Sequence, residues 1–420
     1  MVYVLLMGGL GGCVYLDEVN DPEGDSLEFD CAVGDMTSHE AIVWLKTIDP
    51  QHVKVQYTTD PLWSTFQETR LVATVPETDF TARIPLTRLT SKTRYWYRSL
   101  VSGKSPGVPC QFVTAPDAED FAPVIFVIGG DTRHSFRPFS IMETMRQVKP
   151  DFFVFLGDTI YADREAPARK LSDYWDKYVE NRDEFVERLF AETSVYVMWD
   201  DHEVDSDFVS THPLMPIGRQ AFFDYWPIRQ QDQEPTRLYR SFRWGQAVEL
   251  FLLDTRQYRN PTLKTMLGDT QKRWLLTQLA ASAASFKFIL SSIPFSDPRV
   301  DKWGEYPDER DEILEFITKT GVTGVLFLSG DVHLAAVSRM PGFPDRKEFI
   351  FGPLAAPMNY KISSRDPRFE YFNDDSPNFG KITVHPDKFK PSVQIEWFNA
   401  KNDLLHRIIF EDDQPSMNSQ

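Results

Sequence analysis

Cysteine is scarce in this chain: Cys13, Cys31 and Cys110 are the only three among 420 residues. Everything after Cys110 therefore lacks the ligands for a thiolate zinc or iron–sulfur site. Histidine is sparse as well, with 8 residues. Basic residues are outnumbered, 45 Lys and Arg against 62 Asp and Glu, for a net charge of −17. Such a chain has no general basic footprint with which to displace counterions, so nonspecific nucleic-acid binding is not expected. Anionic substrates stay allowed, because a bound cation reverses the potential within one cleft. No run of about 18 apolar residues occurs, which excludes a multi-span helical membrane protein. Internal repeats and low-complexity tracts are missing too. What is present is 42% hydrophobic and 25% charged residues, enough to bury the cores of two or three domains.

The first residues, Met1 to Cys13, are apolar and Gly-rich and end Leu10-Gly11-Gly12-Cys13. This resembles a bacterial lipoprotein lipobox, in which Cys13 would carry the lipid, although no Lys or Arg precedes the run. The alternative is an incidental Cys in a frayed terminus. On the lipobox reading, 1–27 is a signal and tether, with Asn20 to Ser26 rich in turn formers. The chain would then be exported, periplasmic or at the cell surface, and lipid-anchored to a bacterial membrane. In that setting Cys31 and Cys110 would pair; in a cytosolic protein they would be buried thiols.

From Phe29 to Pro116 short β-rich runs alternate with turns, for example Ala41 to Leu45, Val53 to Tyr57, Asp79 to Ile84 and Tyr95 to Arg98. That spacing predicts a small β-sandwich over 28–117, and Leu89 to Tyr97 resembles the late strands of fibronectin-III-like modules. Beyond Ala122 the pattern changes. Apolar runs ending on an acid (Val124 to Asp131, Phe152 to Asp158, Val195 to Asp201, Val248 to Asp254, Val325 to Asp331) alternate with helical stretches. The helical stretches are Pro138 to Val148, Ser172 to Leu189, Thr270 to Ser285 and Pro307 to Thr320. Buried strands alternating with helices predict an α/β domain over 121–410, followed by a flexible tail, 411–420.

Ligands of open α/β sheets gather beyond the carboxyl ends of strands. Four such ends read Gly130-Asp131-Thr132-Arg133, Gly157-Asp158 to Tyr161 and Asp163, Asp200-Asp201-His202-Glu203, and Gly330-Asp331-Val332-His333. A single Gly-Asp is more often a helix cap or an Asx turn. Several converging carboxylates, however, repel one another unless cations neutralise them. An oxygen-rich donor set with His202 and His333 suits hard cations such as Ca²⁺, Mn²⁺ or Fe³⁺, and Tyr161 could supply a phenolate. Asp163, Asp200, Asp205 and Asp207 stay open between caps, supporting groups and additional Ca²⁺ ligands.

These segments resemble the PhoD-type phosphatase/phosphodiesterase family among the calcineurin-like metallophosphoesterases, and the Gly157 to Asp163 turn also resembles purple acid phosphatases. Leu253-Asp254-Thr255-Arg256-Gln257-Tyr258-Arg259, Leu267 to Leu275, Trp303 to Arg310 and Gly352-Pro353-Leu354 are similar to further family segments, as is Asp35 before Ile42 to Leu45. The resemblance runs from about 29 to 400. It implies a four-layer αββα sandwich after an N-terminal all-β, fibronectin-III-like domain. It also implies phosphate-ester hydrolysis by a metal-activated hydroxide at a dinuclear or multinuclear centre. Carried over, Asp158 would bridge two metals, with Asp131, Tyr161 and His333 on a ferric side and Asp201 and Asp331 on a divalent side. Fe³⁺ plus Ca²⁺ are the implied cofactors, with Mn²⁺ or Zn²⁺ as alternatives in the divalent position. Arg133 and His202 would sit near the phosphate, with His134 or His202 protonating the leaving group. Arg133 stands where calcineurin-like enzymes carry the His of Asp-x-His, and Asp331 where purple acid phosphatases use His.

A phosphate-ester small molecule or a phospholipid-type head group would be the substrate. The loops Arg164 to Lys170 and Asp207 to Arg219 would shape its cleft. An ion pair with a nearby acid is the competing role for Arg133, and a structural role the stronger one for Arg256. Two other functions remain open on sequence: a lipid-anchored surface binding protein with a degenerate second domain, and cytosolic nucleotide hydrolysis.

Overall fold

The computed structural model describes residues 27–104 and 106–411. Cys13 and the tether lie outside the described residues, as do 412–420; Glu411 closes the last strand, Leu404–Glu411. Two sheets face each other. The parallel strands Val124–Gly129, Phe152–Phe155 and Ser194–Val197 form the centre of the first. The second has four parallel neighbours, Val248–Leu252, Phe286–Ser291, Val325–Ser329 and Phe343–Ile350.

Alternation along these strands sets the layers. Phe126, Ile128, Phe152 and Val154 pack with Leu250, Phe288, Leu290 and Leu328 between the sheets. The intervening Val127, Phe153, Val195 and Val197 meet Met142, Met145, Tyr174 and Leu189 of the helices outside the first sheet. On the far side, Phe251, Ile289 and Phe327 meet Leu275, Leu279, Ile313 and Ile317. The result is the four-layer αββα arrangement.

Helix Pro307–Thr320 falls where periodicity places it, opened by Pro307 with Asp308 and Glu309 in its first turn and closed by left-handed Gly321. The stretch Ser172 to Leu189 instead forms two helices, Leu171–Glu180 and Glu184–Phe190. Asp183 breaks it by capping the second helix, accepting from the Phe185 and Val186 N–H groups. Asn181, released from the helix, donates through Nδ2 to the Thr159 and Thr132 carbonyls at 3.0 and 3.4 Å.

The N-terminal all-β region is present, and one of its sheets is continuous with the first sheet of the α/β region. Leu27–Gly34, Glu40–Thr47 and Thr81–Thr87 extend the first sheet to nine strands, joined in parallel at Gly34 and Val195. A Cβ on Gly34 would lie 2.6 Å from the Val195 carbonyl oxygen, so the join requires glycine. Cys31 and Cys110 form a disulfide, Cα to Cα 6.2 Å, tying that sheet to the five-stranded sheet facing it.

Candidate metal centre

The carboxyl ends of the parallel strands in both sheets open on one cleft of about 290 Å³. Three overlapping groups of potential metal ligands lie there: Asp131, Asp158 and His333; Asp158, Asp201 and His202; and Asp158, Asp200, Asp201 and Asp331. Within each group the ligand atoms lie within 4.8 Å of one another, and Asp158 belongs to all three. Sequence-distant acids thus converge as their positions after strands suggested.

Backbone conformation aims these side chains. Asp131, Asp158, Asp331 and His333 have φ of 65°, 50°, 67° and 57°, a left-handed region that costs a non-glycine residue of order 1–3 kcal/mol. Hydrogen bonds between loops hold them there. Thr132 N donates to the Asp158 carbonyl at 2.9 Å, Ala355 N to that of Asp131 at 3.0 Å and Asn359 N to that of His333 at 3.0 Å. Glu203, fully buried, accepts from the Asp158, Thr159 and Asp200 N–H groups at 3.2, 2.5 and 2.7 Å. It therefore clamps two ligand loops together. Gly352, with φ of 108°, leaves room for Asp131: a Cβ there would lie 2.5 Å from Oδ2.

Tyr161 is buried with its hydroxyl 3.1 Å from His333 Nε2, and its ring stacks on His202 at 4.1 Å. His333 Nδ1 is bonded to the Pro357 carbonyl oxygen, leaving Nε2 turned toward Tyr161 and Asp131. His202 Nδ1 is held by Asp163 at 2.6 Å, with Nε2 4.0 Å from Asp158. Asp163 thus acts as a supporting partner of His202.

Burial first, then the charges of Asp201, Asp200 and Asp131, push the Asp158 carboxyl well above its ordinary range. Burial first, then the charges of Asp158, Asp131, Asp201 and Asp331, push the Tyr161 phenol up. Asp200 is pushed up to about 8 by burial, with Asp201 adding to the rise against the pull of Arg256. For Asp201, burial is outweighed by His202, Arg256 and Lys302, which hold it well below the usual carboxylate range. Burial opposes protonation of His202, yet Asp201 and Asp163 push it up to about 9. Five carboxylates, Asp131, Asp158, Asp200, Asp201 and Asp331, face two fixed cations, Arg256 and Lys302. Asp131 Oδ2 is buried with no hydrogen-bond donor among the described residues. A hard, oxygen-preferring cation suits such a donor set.

Arg256 is fully buried, with Nε 2.5 Å from Asp200 and Nη1 3.1 Å from Asp301, which makes it an internal strut. Arg133 lines the cleft and is ion-paired to Glu165, with its guanidinium 5.7 Å from the Tyr161 ring centre. His134 corrects an expectation: it does not line this cleft, and its Nδ1 lies 3.7 Å from Glu180 and 4.0 Å from Glu165. The three-residue turn His134–Phe136 carries it off the loop that holds Asp131. Of the two loops expected to shape the cleft, Arg164 to Lys170 and Asp207 to Arg219, only Arg164 and Asp207 line it, together with segments that sequence did not single out, Arg299 to Lys302 and Pro357 to Lys361. Glu203 and Lys302 were likewise missed. Only the position of Glu203 directly after the Asp200-Asp201-His202 run marked it.

Residues 126–374 match the family model of the PhoD-like phosphatases, and residues 17–116 match the model of their N-terminal domain. The chain belongs to the PhoD-like phosphatase family. Among curated proteins, alkaline phosphatase D of Bacillus subtilis (strain 168) is 24% identical over 374 residues, 72% of this chain and 64% of the relative. The match thus spans a little under two thirds of that relative's length. Among solved structures, one of PhoD superposes with a TM-score of 0.79 at 19% identity, covering 91% of this chain and 90% of the other. The purple acid phosphatase PPD1 from yellow lupin (Lupinus luteus) seeds gives 0.67 at 13% identity, covering 91% and 74%. These likenesses show that the chain shares the fold of PhoD and of a purple acid phosphatase.

Proposed function

We propose that this chain is a metal-dependent phosphoester hydrolase acting on phosphate monoesters, diesters or both. The observation that carries this reading is the placement of Asp158, buried and common to three ligand groups within one cleft. Asp131, Asp158, Tyr161 and His333 would hold one cation, and Asp158, Asp201 and Asp331 a second. Fe³⁺ plus Ca²⁺ are proposed, with Mn²⁺ or Zn²⁺ as alternatives in the second position. Bound there, such cations offset phosphate charge and acidify water toward neutrality.

The protein's own groups do the rest. Asp163 fixes the tautomer and ring orientation of His202, presenting Nε2 to the cleft for a hydrogen bond to the phosphate or for protonation of the leaving oxygen. Arg133, once released from Glu165, offers a fork matched to equatorial phosphate oxygens. Tyr161 and His202 stack on one another in the lining of the cleft, which holds both rings in place. Phosphoryl transfer asks chiefly for such positioning and charge complementarity. The Cys31–Cys110 disulfide supports the reading that the chain works outside the cytosol, and a lipid anchor at Cys13 belongs to the same proposal.

The test is elemental analysis of purified protein beside turnover of a chromogenic monoester and diester, before and after chelation. Activity removed by chelation and restored by metal supports the proposal. Full activity after exhaustive chelation, or no hydrolysis of either ester under any metal loading, overturns it.

A further inference from the structure

A second groove, of about 430 Å³, adjoins the cleft and shares Arg299 and Lys361 with it. Arg365 and Arg368 complete its basic lining, in a chain whose net charge is −17. Two of these cations are fixed from beneath. Arg299 forks onto the buried carboxylate of Asp297 at 2.5–3.0 Å, while Arg368 Nη1 lies 3.7 Å from Asp297 and donates to the Ser296 carbonyl at 2.9 Å. Asp366, the acid facing the groove, is 3.3 Å from Arg368 Nε. Lys361 and Arg365 are exposed and have no carboxylate partner among the described residues.

The groove is tied to the metal centre. Asn359 donates its N–H to the His333 carbonyl at 3.0 Å, and its Oδ1 accepts from Lys361 N and Ile362 N at 3.0 and 2.9 Å. The backbone of Lys361 is thereby set relative to a candidate ligand loop. At the rim of the cleft, Val300 and Tyr360 are 80% and 84% exposed, offering apolar surface to a substrate's carbon skeleton.

We infer that this groove is a subsite for a second anionic phosphate carried by the same substrate molecule as the scissile one. Arg299 and Lys361 stand between the two phosphates, and Arg365 and Arg368 grip the distal one. The inference rests on the phosphoester-hydrolase reading and narrows its substrate class to molecules with two or more phosphates. Guanidinium groups recognise phosphate by paired, charge-assisted hydrogen bonds, and a subsite of this kind acts mainly on KM.

The test compares monophosphates of short linear alcohols with bisphosphates of the matching diols, using metal-loaded wild type and an Arg365→Ala variant, which leaves the cleft lining untouched. Arg365 is exposed, so the fold should be unaffected. Wild type should favour the bisphosphate in kcat/KM by about tenfold beyond the statistical factor of two. In the variant that preference should disappear through KM, with monophosphate turnover within about twofold of wild type. Equal use of the two substrates by wild type, or a preference that survives in the variant, overturns the subsite. If neither ester is hydrolysed, the hydrolase reading fails and calorimetric binding of the bisphosphate decides the subsite alone. About tenfold weaker binding by the variant supports it, and equal binding overturns it.

Discussion

The two sides of the candidate centre are built differently. On one, Asp131, Tyr161 and His333 meet with no arginine or lysine paired to their polar atoms among the described residues. On the other, Asp200 and Asp201 face Arg256, and Asp331 faces Lys302 at 2.6 Å. The first side has His333 and no lysine or arginine against its acid, whereas the second carries part of its counter-charge in Arg256 and Lys302. Asp158, between them, belongs to both. Replacing a residue on one side should therefore alter metal binding, whereas replacing a cation on the other should alter stability and metal binding together.

Asp158→Asn should break the comparison outright, because it removes the shared ligand. Hydrolysis should fall by far more than the 10–100-fold typical of residues that support a metal ligand, and elemental analysis should show both positions depleted. Retention of both metals would mean that the two sides are independent sites. Arg256→Met tests the internally balanced side. It leaves Asp200 buried without its cationic partner and removes one of three cations from Asp301, which keeps Arg259 and Lys302; this should cost about 3–5 kcal/mol in denaturant unfolding of the metal-free protein. A loss below about 1 kcal/mol would show that these acids are neutral there. Removing both halves of the disulfide, Cys31→Ser/Cys110→Ser, is the control far from either side. It should cost about 2–5 kcal/mol while leaving metal content unchanged; a fall in metal content would couple the N-terminal sheet to the centre.

The same contrast explains what the sequence made legible. Acids placed directly after apolar runs were readable because strand ends and ligand loops are local in sequence, so Asp131, Asp158, Asp201 and Asp331 could be picked out together. The helix Pro307–Thr320 was readable for a similar reason, with its cap signals inside its own span. The counter-charges were not. Lys302 meets Asp331 from a loop 29 positions upstream, and Arg256 reaches Asp200 across 56 positions, separations that no motif spacing encodes. The continuity of the N-terminal strands with the catalytic sheet escaped notice because it hangs on a single parallel register, Gly34 to Val195. His134 is absent from the cleft lining although Arg133 is part of it, because the turn that begins at His134 directs its ring to Glu180 and Glu165.

The smallest effect, and the one that most sharpens the contrast, belongs to Lys302. Its ammonium lies 2.6 Å from Asp331 Oδ2 and 3.3 Å from Asp301, within the lining of the cleft. A cation arriving at Asp331 meets this like charge and must share the carboxylate with it. Lys302→Met keeps most of the aliphatic stem and deletes the charge, so divalent-cation affinity should rise about tenfold, equivalent to about 1.4 kcal/mol. Competition titration against a metal indicator on the metal-depleted protein measures this directly. Tyr161→Phe, on the side without a fixed cation, should move affinity the other way by removing a donor atom. Should Lys302→Met instead weaken divalent binding, the lysine would be acting to hold Asp331 in position, and the two sides would differ in geometry more than in charge.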